Sequence, residues 1–218
     1  MIKQLALSYV QEFLHLEQVI FKEAGENRPV VVQITAAHRE EGVTSITLAM
    51  AAFMAQKHGG RYTVAIECNY RNAAFRRMLS LKASGSLLGV VQGKQTLEEA
   101  LQSVEEFGFY ALPSDGLQGE QDQVSLDPSF EGLEPTITAL KKGFRYILID
   151  SPAVIPFGDS AFLSKFVDHV VLVVESGKTN SEVVNRAIET IKAAGADVSG
   201  IVLNKREFHI PQWLYKRI

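Results

Sequence analysis

The 218-residue chain has one cysteine, one tryptophan and no excess of positive charge. A lone Cys68 excludes an internal disulfide and fits a reducing compartment, with a buried structural thiol as its expected role. The 22 lysines and arginines are outnumbered by 25 acidic residues, for a net charge of -3. That balance argues against nucleic acid as a partner, which normally meets a basic face. No apolar run approaches the ~20 residues of a membrane span; the best, Ile46 to Ala55, is far shorter. The start, MIKQLALSYVQEF, has no extended apolar region and no small-residue cleavage site. No secretory signal is expected, therefore, and the expected location is cytoplasmic, with the inner face of the membrane reached only through a partner. Internal repeats and low-complexity tracts are also missing.

What is present is an alternation of buried-strand runs and helical patterns. Apolar groups at Leu7, Val10, Phe13, Leu14, Leu16 and Ile20 predict an amphipathic leading helix over residues 7–23, broken by AGENRP. VVVQIT (Val30 to Thr35), YTVAIE (Tyr62 to Glu67), FGFYALPS, YILID (Tyr146 to Asp150), HVVLVVE (His169 to Glu175) and GIVLN (Gly200 to Asn204) read as strands. Helices are expected over about Thr44 to Lys57, from RNAAFRRMLSL, over Phe130 to Lys142 and over Asn180 to Ala194. SGSLLGVVQGKQTLEEALQSV reads as a loop, a short helix, a turn and another helix. The polar segment 114–129 reads as a surface loop. The expected fold is α/β: one doubly wound, mostly parallel sheet with helices on both faces. The expected division is an N-terminal helix over 1–28, packing on the body or bridging subunits, a phosphate-loop domain over 29–206 and a short tail over 207–218.

In such sheets ligands bind beyond the carboxyl ends of the strands. Glu67, Asp150 and Asn204 each end a strand there. Between the first strand and its helix lies AHREEGVT, Ala37 to Thr44. It has the context of a phosphate loop, G-x-x-x-x-G-K-[ST], and keeps Gly42 and the hydroxyls of Thr44 and Ser45. Its first glycine is Ala37 and its lysine is Val43. Backbone N–H groups and a helix N-terminus attract phosphate whatever the side chains. The missing charge removes an interaction worth about 1.5–3 kcal/mol in binding and more in catalysis. Glu40 and Glu41 add negative charge beside the expected phosphate position, which His38 and Arg39 offset in part. Thr44 and Ser45 serve equally well as caps of the following helix. Arg76 and Arg77 are expected on a solvated helix face.

The order of these motifs, through VAIECNYRNAAFRRML, IDSPAV, GDS, VDHVVLVV and GIVLN, resembles the bacterial tyrosine autokinases of capsule and exopolysaccharide synthesis, relatives of the MinD and ParA ATPases. The likeness runs over roughly residues 8–206. It implies a P-loop nucleotide site taking ATP or ADP with Mg²⁺. Gly42, Thr44, Ser45 and Asn204 would face the nucleotide, Asn204 its base, and Thr44 and Asp150 the metal. The family's Asp-x-Asp pair falls on Glu67 and Asn69. Glu67 keeps the charge and Asn69 cannot take a proton, which leaves Glu67 and Asp150 as the catalytic candidates. Arg71 and Asp159 match a family arginine and aspartate. The family's ring-forming Glu-x-x-Arg-x-x-Arg falls on Glu12, His15 and Gln18, and its tyrosine-rich tail on IPQWLYKRI, with Trp213 and one tyrosine, Tyr215.

Charge, catalytic carboxylate, ring contacts and acceptor tail are altered together while strands and turns are kept. The resemblance therefore implies a degenerate member, a pseudokinase with nucleotide binding weak or lost. It would act as a scaffold for the cytoplasmic segment of a membrane chain-length regulator or for a paralogous kinase, as a monomer or dimer rather than a ring. The alternatives are an active tyrosine autokinase or ATPase with a rearranged site, and a MinD- or ParA-like positioning ATPase. The last is disfavoured because Ala37 and His38 offer no early loop lysine and no basic amphipathic tail follows.

Overall fold

The computed structural model describes residues 1–21, 28–59, 62–115, 132–155 and 158–206. Among the described residues, seven strands form one sheet: β1 (Val30–Ala36), β2 (Thr63–Glu67), β3 (Gln102–Val104), β4 (Phe109–Leu112), β5 (Tyr146–Asp150), β6 (His169–Glu175) and β7 (Val198–Asn204). Their order across the sheet is β3-β4-β2-β5-β1-β6-β7. Every pairing is parallel except β3 with β4. The doubly wound, mostly parallel sheet is thus present as expected. The antiparallel edge is a correction: Gln102–Val104 was expected to continue a helix. That helix, α6 (Leu97–Ala100), is a single turn set by a capping box between Thr96 and Glu99.

β1, β2 and β5 are buried at every residue, as central parallel strands covered on both faces must be. α3 (Val43–His58) fills the middle of one face. Eleven of its residues, Val43 and Ile46 through Ala55, are buried. A helix apolar all round must be covered all round, and here the sheet covers one side and α1 (Ile2–Ser8) packs on the other. The leading helix is two: Tyr9 separates α1 from α2 (Val10–Phe21), and α2 lies along β7, where Leu16 sits so close to Gly200 that a Cβ would meet it at 2.5 Å. Across the sheet, Leu133, Ile137 and Leu140 of α7 (Leu133–Leu140) join Ile147 and Ile149 in a second core. Ala187 and Ile191 of α9 (Ser181–Ala193) close a third over β6.

Among the described residues no helix is long and apolar enough to cross a membrane. Most of the 114–129 loop, the start of the helix expected at Phe130, and the tail with Trp213 and Tyr215 lie outside the described residues.

Candidate nucleotide-phosphate site

β1 ends at Ala36, and the chain crosses the carboxyl edge of the sheet as the loop 37–42 before α3 begins. Gly42 caps α3 in a left-handed conformation, φ 94°, and a Cβ there would lie 2.1 Å from the Asn204 amide nitrogen. Both facts demand glycine. Glu40 also has positive φ, 66°, and its carbonyl oxygen accepts a 2.7 Å hydrogen bond from Lys205 Nζ.

The loop is braced from inside by Glu41, which is 2% exposed. Its Oε2 accepts the N–H groups of Ala37 (3.0 Å) and His38 (3.3 Å), and its Oε1 accepts the Thr179 hydroxyl. Glu41 therefore spends its charge on the loop's own backbone. Of the two acids expected beside the phosphate, only Glu40 lines the cavity.

Asn204, at the end of β7, donates Nδ2 to the Glu41 carbonyl at 2.7 Å and accepts the Tyr9 hydroxyl on Oδ1 at 2.7 Å. Its amide is committed to joining the leading helices to the loop, and it is absent from the cavity wall. Thr44 Oγ1 donates to Asp150 Oδ2 at 2.8 Å, so the α3 start and the β5 end are tied as the motif requires. Asp150 is fully buried, and its Oδ1 has no hydrogen-bond partner among the described residues. Burial pushes its carboxyl well above the usual range; the Thr44 bond pulls it down and nearby Glu67 pushes it up.

Glu67 faces the other way. Its Oε1 accepts the N–H groups of Ala74 and Phe75 (2.8 Å), and its Oε2 accepts that of Ser114 (2.8 Å). Burial raises its pKa against the pull of those three bonds. The side chain clamps the start of α4 (Phe75–Leu79) to the end of β4 and does not line the cavity. Arg71 and Asp159 meet as an ion pair at 3.0 Å, and Tyr70 also donates to Asp159.

The cavity itself, about 440 Å³, opens over Gly42, Val43, Thr44 and Ser45. Asn69, Arg71 and Arg77 also line it, as do Ser151 to Ala153. Arg77 is exposed, as expected of a solvated face, and is among these lining residues, while Arg76 binds Asp115 at 2.7 Å outside the cavity. Val43 is 9% exposed and supplies part of an apolar floor where a lysine would give charge.

Sequence reasoning missed the polar layer under the loop. Gln33, buried within β1, donates to Ser151 Oγ (2.9 Å) and the Ser160 carbonyl (2.9 Å), and accepts from Ser164 Oγ (2.9 Å). Thr35 bonds Pro152 O at 2.7 Å. This layer fixes the chain after β5 against β1. The one signal was a glutamine inside an otherwise β-branched run.

For Mg²⁺, the described residues hold no group of three or more His, Cys, Asp or Glu side chains. Thr44, which lines the cavity, could hold the ion alongside ligand phosphates and water, with Asp150 holding the Thr44 hydroxyl from off the wall. The orphaned Asp150 Oδ1 is the observation in favour.

No family model matches the chain. It is similar to the tyrosine-protein kinase CpsD of Streptococcus agalactiae, 26% identical over 178 residues, covering 80% of this chain and 75% of that protein. It is similar to the succinoglycan biosynthesis transport protein ExoP of Rhizobium meliloti, 22% identical over 82% of this chain and 22% of that one. Among solved structures, the VpsO kinase domain superposes with a TM-score of 0.77 at 22% identity, over 94% of this chain and 95% of that chain. The septum site-determining protein MinD of Pyrococcus horikoshii, complexed with Mg-ADP, superposes at 0.63 with 21% identity, over 87% and 76%. The homologues of this chain are bacterial capsular and exopolysaccharide tyrosine-protein kinases, and its fold is that of their kinase domains and of the MinD-like P-loop ATPases.

Proposed function

We propose that the protein is a catalytically impaired, kinase-like scaffold in capsule or exopolysaccharide biosynthesis. It would pair with the cytoplasmic segment of a membrane chain-length regulator, or with an active kinase paralogue, at the inner face of the membrane. The observation that carries this reading is the state of Glu67. Activating a tyrosine hydroxyl needs a base within hydrogen-bond reach of it. Glu67 has both oxygens occupied by backbone N–H groups and is off the cavity wall. Asn69, which does line the cavity, cannot take the proton. Asp150 lies beneath Thr44 rather than on the wall.

The loop backbone and the α3 N-terminus remain suited to phosphate. Bound Mg²⁺, held by Thr44 with Asp150 positioning its hydroxyl, would neutralise phosphate charge. Val43 contributes no such charge, and the residues that brace the loop preserve its shape without supplying a base.

A cell-based test separates scaffold from enzyme. Deletion of the gene in its host should change polymer length or amount, and the Asp150→Asn protein should restore it as well as wild type does. Failure of that variant, at normal protein level, would refute the scaffold reading. The competing reading, an active autokinase with a rearranged site, draws on the arginines lining the cavity and requires that failure.

A further inference from the structure

The cavity has lost its loop lysine, yet its wall is not short of positive charge. Arg39, Arg71 and Arg77 line it, against the single carboxylate of Glu40. Arg71 is spent on Asp159, with Nε and Nη2 both directed to that carboxylate. Arg39 has an interaction partner of its own. Arg77 is exposed and, among the described residues, its guanidinium makes no hydrogen bond or ion pair.

The position of Arg77 is built rather than incidental. Phe75, two residues earlier on α4, is fully buried in the main core. The N–H groups of Ala74 and Phe75 are held by the buried Glu67 carboxylate. α4 is therefore anchored at its start by a charged acceptor and an aromatic plug, and Arg77, which it carries, lines the same cavity as Gly42 to Ser45. A guanidinium offers five N–H donors in a fork that matches two phosphate oxygens at once.

We propose that Arg77 takes over the charge that Val43 lacks, and that the cavity binds a diphosphate group between Arg77 and the loop backbone. The shared chemistry is a diphosphate, free or as the tail of a nucleoside diphosphate. The proposal rests on reading the cavity as a nucleotide site, and it is independent of whether any phosphoryl group is transferred. It also assigns Glu67 a changed task, that of positioning the helix that carries the new cation.

The test is calorimetric titration of the whole protein with pyrophosphate and with ADP, in EDTA and in Mg²⁺. Wild type should bind both. Arg77→Ala should weaken both by about ten- to a hundredfold, the worth of a charged hydrogen bond. Arg77→Lys should recover part of the loss, and Val43→Lys added to Arg77→Ala should recover binding from the loop. Tighter binding of ADP than of pyrophosphate supports the nucleoside form, and equal binding supports free diphosphate; both uphold the site. Binding by Arg77→Ala equal to wild type would overturn the proposal. So would the lack of any binding by wild type up to millimolar ligand, which would leave the scaffold reading standing. Arg77 is exposed, so its variants should unfold at the wild-type temperature, and circular dichroism checks that the comparison is between folded proteins.

Discussion

The Asn204 amide donates to the carbonyl oxygen of Glu41 at 2.7 Å while its own oxygen accepts the Tyr9 hydroxyl. One buried side chain thus links the last strand, the phosphate-type loop and the junction of the two leading helices. Asn204→Ala removes both bonds, together with the 2.9 Å bond that the Lys205 N–H donates to the same oxygen, and leaves a buried loop carbonyl without its partner. Urea denaturation should show a loss of about 1–3 kcal/mol. Tyr9→Phe removes one of the two bonds and should cost less, about 0.5–1.5 kcal/mol.

Glu67→Gln replaces a double acceptor by one acceptor and one donor. Three backbone N–H groups converge on the two oxygens, so the new amide must face at least one of them donor to donor. A destabilisation of about 1–3 kcal/mol is expected, read as a shift of the urea midpoint at constant slope. A purely catalytic glutamate would leave stability unchanged.

Asp150→Asn should stabilise the protein in a pH-dependent way. Burial raises the Asp150 pKa above its ordinary 3.8 in the folded state. Below about pH 4 the group is protonated folded or unfolded, and it imposes no charge penalty. As pH rises, the unfolded chain ionises first, so stability is lost progressively until pH passes the folded pKa. Melting temperatures of wild type and variant should therefore converge near pH 4 and separate toward pH 7, with the variant higher. A variant less stable at pH 7 would show that the charge is compensated.

Gln33→Leu tests the polar layer under the loop. It removes the amide's bonds to Ser164 Oγ and the Ser160 carbonyl, both buried, which keep the 3.1 Å bond they make to each other. The expected cost is about 1–3 kcal/mol, measured by denaturation. Its neighbour Val32 faces the apolar core, and Val32→Ala would act instead through a lost contact and a cavity.

The strands were legible because central parallel strands are mostly apolar, and Val30 to Ala36, Tyr146 to Asp150 and His169 to Glu175 are written that way apart from Gln33, Thr35 and their polar ends. The strand β3 was not, since Gln102–Val104 is short and follows a helical turn, and only pairing with β4 makes it a strand. At the site, Thr44 and Asp150 came together as the motif predicts. The directions of Glu67, Glu41 and Asn204 were invisible, because a residue's place at a strand end does not say which backbone groups its side chain will satisfy. Arg77 is exposed, as its solvated reading expected; that it also borders the cavity was not legible, because a five-residue helix carries too little periodicity to reveal its faces.

The most direct measurement is ATP turnover by the purified protein with Mg²⁺, followed as phosphate release and as tyrosine phosphorylation. Both should stay at the background of a no-protein control, whether or not ADP binds. Mg²⁺-dependent turnover abolished by Asp150→Asn would contradict the scaffold reading and establish a working kinase site around Val43.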